Sequence, residues 1–126
     1  MSNKFYGVTR EAEKTINLLL NLPASGDEQD WEIELADPSK IDQMLDAFES
    51  EGLNFECKSA LALLLISSIQ DAEEAGALSA DQIRRTMQLL SKDGEVLSRM
   101  RFYWIELKMA SKVRLLDNIT SGKTEK

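Results

Sequence analysis

The sequence predicts an all-α domain of about five helices, and three observations carry that prediction. Of 126 residues only two are proline and six glycine, while Leu, Ala, Glu, Lys and Met abound, a composition that favours helix. Ala60 to Ile66 is an unbroken apolar run inside an uncharged stretch from Ser59 to Gln70. At 100° per residue its side chains point in every direction, so a helix there must be wrapped by protein on most of its circumference. Finally, capping residues (Thr9, Asp37, Ser79) and glycines (Gly52, Gly76) punctuate the chain at helical lengths. The uncharged core is shorter than the roughly 20 apolar residues of a membrane span. It reads as the central helix of one soluble domain covering residues 1–126, with 1–8 and 120–126 frayed.

Taken in order, the first helix spans about Thr9 to Leu22, with Thr9 as N-cap, Pro23 as the stop and Ala12, Ile16, Leu19 and Leu20 on its apolar face. Trp31-Glu32-Ile33-Glu34-Leu35 alternates apolar and acidic residues, as a half-buried strand does, but no second alternating segment exists to pair with it. Ser25 with Glu28 also offers a capping box for a short helix. The favoured reading is an extended or irregular segment pinned by Trp31, Ile33 and Leu35. The second helix is capped by Asp37, starts with Pro38, buries Ile41, Met44, Leu45 and Phe48, and stops at Gly52. The central helix begins near Asn54 or Phe55 and ends at Gly76. Ser79 with Gln82 forms a capping box for the fourth helix, which buries Ile83, Met87 and Leu90.

The fifth helix runs from about Asp93-Gly94 to Asn118 and has two apolar faces. Val96, Met100, Tyr103, Trp104, Leu107 and Ala110 lie on one; Phe102, Ile105, Met109, Val113 and Leu116 lie on the other. One face meets the central helix. The second is covered by the first helix or offered to a partner, with cover as the default. A shift of 42 residues maps Asp37 onto Ser79, Ile41 onto Ile83, Leu45 onto Met87, Phe48 onto Leu90, Gly52 onto Gly94 and Phe55 onto Leu97. That period falls in the HEAT/armadillo range. The two units are either a two-repeat stack or two ordinary helical hairpins, and both give layered antiparallel helices.

Charge and residue usage narrow the function. The net charge is −7, and residues 27–56 hold eleven acids against one base, while residues 92–126 hold eight bases against five acids. The acidic part repels phosphate and suits a basic protein partner, so no nucleic acid is expected there. The chain has no histidine, which removes the commonest general base and transition-metal ligand. A lone Cys57 builds neither an internal disulfide nor a zinc site and reads as a small buried residue. No phosphate-binding glycine loop is present, and the acids of 27–34 do not follow a calcium loop. No enzyme, metal or cofactor is expected, and without a secretory signal the chain is expected in the cytoplasm.

The order DWEIELADP, then a short helix and EGL, then SALALLLISSIQD, over about residues 30–71, resembles small helical immunity proteins of bacterial toxin–immunity systems. These motifs are compositional, so no residue's role is carried over. The resemblance implies an inhibitor that masks the basic site of a toxin such as a nuclease. On the residues themselves, Asp42, Asp46 and Glu49 share a helical face at i, i+4, i+7 and are the first candidates to bind the partner; Asp30, Glu32 and Glu34 are the second. The alternatives are a solvated acidic face that keeps the protein soluble, and an adaptor that forms homo-oligomers through the spare face of the fifth helix.

Overall fold

The computed structural model describes residues 9–26, 28, 30–50, 52–106 and 108–121. Expectations for residues 1–8 and 122–126, and for Asp27, Glu51 and Leu107, lie outside these. The described residues form seven α-helices and no strand: α1 (Arg10–Leu20), α2 (Trp31–Glu34), α3 (Ile41–Glu49), α4 (Phe55–Glu74), α5 (Ala80–Ser91), α6 (Gly94–Glu106) and α7 (Ala110–Ser121). A single 3₁₀ turn, Pro38–Lys40, leads into α3.

The helix α4 is the centre, as its composition demands. Its residues from Ser59 to Ile69 are all buried, and α1, α2, α3, α6, α7 and the 3₁₀ turn pack around it. The Asn54 side chain accepts the Cys57 N–H at 2.8 Å to start it. Gly76 ends it in the left-handed conformation (φ +71°). There the Gly76 N–H bonds Glu73 C=O at 3.1 Å and the Ala77 N–H bonds Ala72 C=O at 2.8 Å, the paired bonds of a Schellman cap. Cys57 is buried, as expected of a small apolar residue.

The flanking helices follow their sequence signals with instructive exceptions. Thr9 caps α1 by accepting the Ala12 N–H at 3.1 Å, and Ala12, Ile16 and Leu20 are buried. The stop is not Pro23. Asn21, left-handed at φ 55°, closes the helix two residues earlier. Of the expected apolar face, Leu19 is half-exposed, and its neighbour Leu18 is 84% exposed. In α5 both capping-box bonds form, at 3.0 and 3.1 Å. Leu90 is buried as expected; Ile83 and Met87 are only partly so, while Thr86 and Leu89 take their place. The Thr86 hydroxyl is satisfied by donating to Gln82 C=O at 2.7 Å.

The segment 31–35 is neither strand nor irregular: residues 31–34 form one turn of α-helix. The helical period puts Trp31 and Leu35 together on the inside, and the Trp31 indole donates to Asn17 Oδ1 at 2.9 Å. It also carries Glu32 inward and turns Ile33 out. Alternation implies the reverse for both, because a period of two and a period of 3.6 assign neighbours to different faces.

The expected fifth helix is two. The chain leaves the helix after Glu106, and Lys108 adopts φ 59°. The Lys108 N–H bonds Ile105 C=O at 3.0 Å and the Met109 N–H bonds Trp104 C=O at 2.9 Å, a Schellman cap without its usual glycine. α7 then folds back against α6, α5 and α4. Val96, Met100 and Trp104 are buried as anticipated. The second apolar face is divided by the break rather than covered by α1, which packs mainly on α4 and α3. Leu116 joins the core, Met109 and Val113 are partly buried, and Phe102 and Ile105 stay half-exposed. Elsewhere α3 packs on α5 and α4 on α6.

Candidate functional site

The acidic face of α3 is built from the cap outward. Asp37 Oδ1 accepts from the Ser39 N–H at 3.0 Å and the Ser39 hydroxyl at 2.7 Å, and the Asp37 N–H is tied to Ser68 Oγ of α4 at 2.9 Å. These bonds fix the entry of the chain into α3. Ile41, Met44, Leu45 and Phe48 are then 0–4% exposed and lock the helix onto the core. The opposite face presents Asp42, Asp46 and Glu49 to solvent.

The structure adds partners that the sequence reading missed. Arg85 of α5 donates to Asp46 Oδ1 at 2.7 Å and to Glu49 Oε1 at 2.6 Å. These bonds hold its guanidinium above its ordinary pKa. Gln82 Nε2 donates to Asp42 Oδ1 at 3.3 Å. The Asp46 and Glu49 side chains nevertheless remain 72% and 53% exposed. A polar groove of about 620 Å³ lies between α3 and α5, with Asp42, Asp46, Asp81, Arg84 and Arg85 on its walls. No local sequence signal marks this pairing: Arg85 lies 39 and 36 residues from Asp46 and Glu49 and meets them only because α5 packs on α3.

The second set of acids is split. Asp30 and Glu34 are exposed, and Glu34 Oε2 accepts the Asp30 N–H at 3.1 Å, closing the first turn of α2. Glu32 is 4% exposed and accepts the Tyr103 hydroxyl at 3.1 Å. It cannot meet a partner as part of a surface row. Burial pushes its carboxyl above the usual range, against the opposing pull of its hydrogen bonds and of Lys112. The same burial, reinforced by Glu32, pushes the Tyr103 phenol up. Lys112, itself buried, donates to Gln70 Oε1 at 2.7 Å and lies 5.9 Å from the Trp104 ring. Burial lowers its pKa, while Glu32, Asp71 and Glu74 counter the shift.

Nearby, Glu28 is a loop clasp. Its Oε2 accepts the Ser25 N–H at 2.7 Å and the Ser25 hydroxyl at 3.1 Å, and its Oε1 the Gly26 N–H at 3.2 Å. Those bonds, led by the one from the Ser25 backbone, lower its pKa. The Ser25–Glu28 pairing was legible in the sequence, but it ties a loop rather than starting a helix. No hydrogen bond or ion pair among the described residues joins the α2 acids to those of α3. Among the described residues no three His, Cys, Asp or Glu side chains gather as metal ligands, and no helix is long and apolar enough to cross a membrane.

The site and fold together define a helical protein with an acidic helix face on a rigid core. No protein-family model, curated protein or solved structure matches this chain.

Proposed function

We propose that this protein is a non-enzymatic, cytoplasmic binding protein whose α3 carboxylates engage a basic protein partner, as an immunity protein covers the cationic site of a toxin. The observation that carries this reading is Arg85. A guanidinium of the chain's own already sits between Asp46 and Glu49, so the spacing of these carboxylates suits a cation. An exposed pair of this kind is worth about 0–1 kcal/mol, so a partner's arginine or lysine can displace it at small cost. Asp42 adds a third carboxylate on the same face. Asp30 and Glu34, exposed on α2, belong to a second rank, and Glu32 drops out of the binding surface because it is buried. The packing of α3 on α5 and of α4 on α6 supports reading the body as two stacked helix–turn–helix units, a rigid frame that holds the carboxylates in register.

The test is differential capture from the native host. Wild-type protein and Asp46→Asn/Glu49→Gln are immobilised side by side, and bound proteins are identified by mass spectrometry at low and high salt. The reading expects a strongly basic protein held by the wild type, weakened by the double variant and released by salt, since charge-steered association is screened. Equal capture by both proteins would show that the α3 face does not bind the partner.

A further inference from the structure

The elbow between α6 and α7 leaves an open groove of about 570 Å³. Its lining on α7 runs from Ala110 through Val113, Arg114 and Asp117 to Asn118. Those are the i, i+3, i+4, i+7 and i+8 positions of one helix face, a strip about 12 Å long. Trp104 and Ile105 of α6 and Met109 at the elbow add an apolar wall, and Ile105 is 49% exposed. The charges around the groove do not cancel. Asp117 is neutralised by Arg101, whose Nε and guanidinium nitrogen reach its two oxygens at 3.2 Å each. Lys108 and Arg114 also line the groove, both are exposed, and neither pairs with an acid among the described residues. An apolar lining thus carries uncompensated positive charge in a chain whose net charge is −7.

Charge and shape together select an occupant. A nucleic acid finds the cations but no use for the apolar wall, and the net charge of the chain repels it. A lipid surface meets convex apolar faces, whereas this one is concave. A small molecule in a groove this open keeps one side in water, short of the burial that ligand sites provide. The ends of the chain lack acid: residues 1–8 carry one lysine and no acid, and residues 122–126 carry two lysines and one glutamate. What fits is about two turns of a foreign helix, apolar on the face turned inward and acidic along its edges.

We propose that the α6–α7 groove docks a short amphipathic acidic helix of a partner protein, with its apolar side chains against Ile105, Met109 and Val113 and its carboxylates against Lys108 and Arg114. The α3 carboxylates repel such a segment, so this docking and the binding of a basic partner stand or fall separately.

The probe is a display library of random peptides about 16 residues long, roughly four helical turns, panned against the wild-type protein. Enriched peptides are then measured by fluorescence anisotropy. The expected peptides have apolar residues at i, i+3 or i+4 with Asp or Glu beside them, and their binding weakens as salt rises. Ile105→Asp, at a half-exposed position, and Lys108→Glu/Arg114→Glu, at two exposed ones, should leave the thermal melt intact. Each should weaken these peptides at least about 10-fold. Replacing a peptide's acids with lysine should reverse the preference, so that Lys108→Glu/Arg114→Glu binds it more tightly than the wild type does. Enrichment of no peptide, or only of peptides without acids, overturns the proposal. So does an acidic peptide held equally by the wild type and either folded variant, or a failure of the reversal. Wild-type protein that floats with phosphatidylglycerol vesicles and enriches no acidic peptide would overturn it too, and would give the groove to a lipid surface.

Discussion

Lys108→Gly distinguishes two structures by the sign of its effect. In the folded chain Lys108 holds φ 59°, its side chain is exposed, and it makes neither ion pair nor side-chain hydrogen bond among the described residues. A left-handed conformation costs a non-glycine residue about 1–2 kcal/mol, whereas glycine brings an entropic penalty of about 0.5–1 kcal/mol. The exposed side chain adds nothing to the balance, so the substitution should stabilise the protein by about 0.5–1 kcal/mol. Were residues 94–118 one continuous helix, as the apolar pattern suggests, the same change would cost about 0.5–1 kcal/mol. Urea denaturation reads the difference as a shift of the midpoint at constant slope. Lys108→Ala is the control, near neutral at a left-handed position and slightly stabilising in a helix interior. A lower midpoint for Lys108→Gly, with a higher one for Lys108→Ala, would refute the elbow between α6 and α7.

Other consequences are as direct. Leu64→Ala, at a fully buried position of α4, should cost about 2–5 kcal/mol in denaturant titrations; a negligible loss would show that α4 is not the centre of packing. Ser79→Ala removes half of the α5 capping box and should cost about 1 kcal/mol, read the same way. The pH dependence has two limbs. Glu13 and Glu32 have pKa values raised above 4.5 by burial, so the native state binds their protons more tightly, and their terms favour folding increasingly as pH falls from neutral towards 4.5. Glu28 is lowered, so the stability it contributes is complete above 4.5 and is lost as pH falls through its folded pKa. Glu32→Gln should flatten the upper limb in melts at stepped pH while sparing the lower; an unchanged upper limb would show that Glu32 is solvated.

Much of the fold was legible because its signals are local. Asn54 and the Ser79–Gln82 pair start helices through bonds within one turn, Gly76 ends one, and the all-apolar circumference of Ala60–Ile66 leaves only the centre of the domain open to it. What escaped has physical reasons. A Schellman cap at Lys108 carries neither Gly nor Pro, so the elbow left no mark, and two apolar faces on one supposed helix were the shadow of two helices packing in different directions. At residues 31–35 five residues fit both periods, and the hydrogen bonds of Trp31 with Asn17 and of Glu32 with Tyr103, 14 and 71 residues apart, decided between them. For the site, spacing alone placed Asp42, Asp46 and Glu49 correctly on one exposed face. The intervention of Arg85 is a tertiary fact, visible only once α5 lies beside α3.

If the α3 carboxylates serve a partner's cation, as proposed, Arg85 occupies that cation's place in the free protein. The most direct measurement is the affinity of the captured basic partner for wild-type protein and for Arg85→Ala, at low salt. Removing the resident guanidinium frees Asp46 and Glu49 and makes the face more negative, at a stability cost of about 1 kcal/mol or less. Tighter binding and a steeper salt dependence are expected for Arg85→Ala. Unchanged or weaker binding by a variant that melts like the wild type would contradict the proposal.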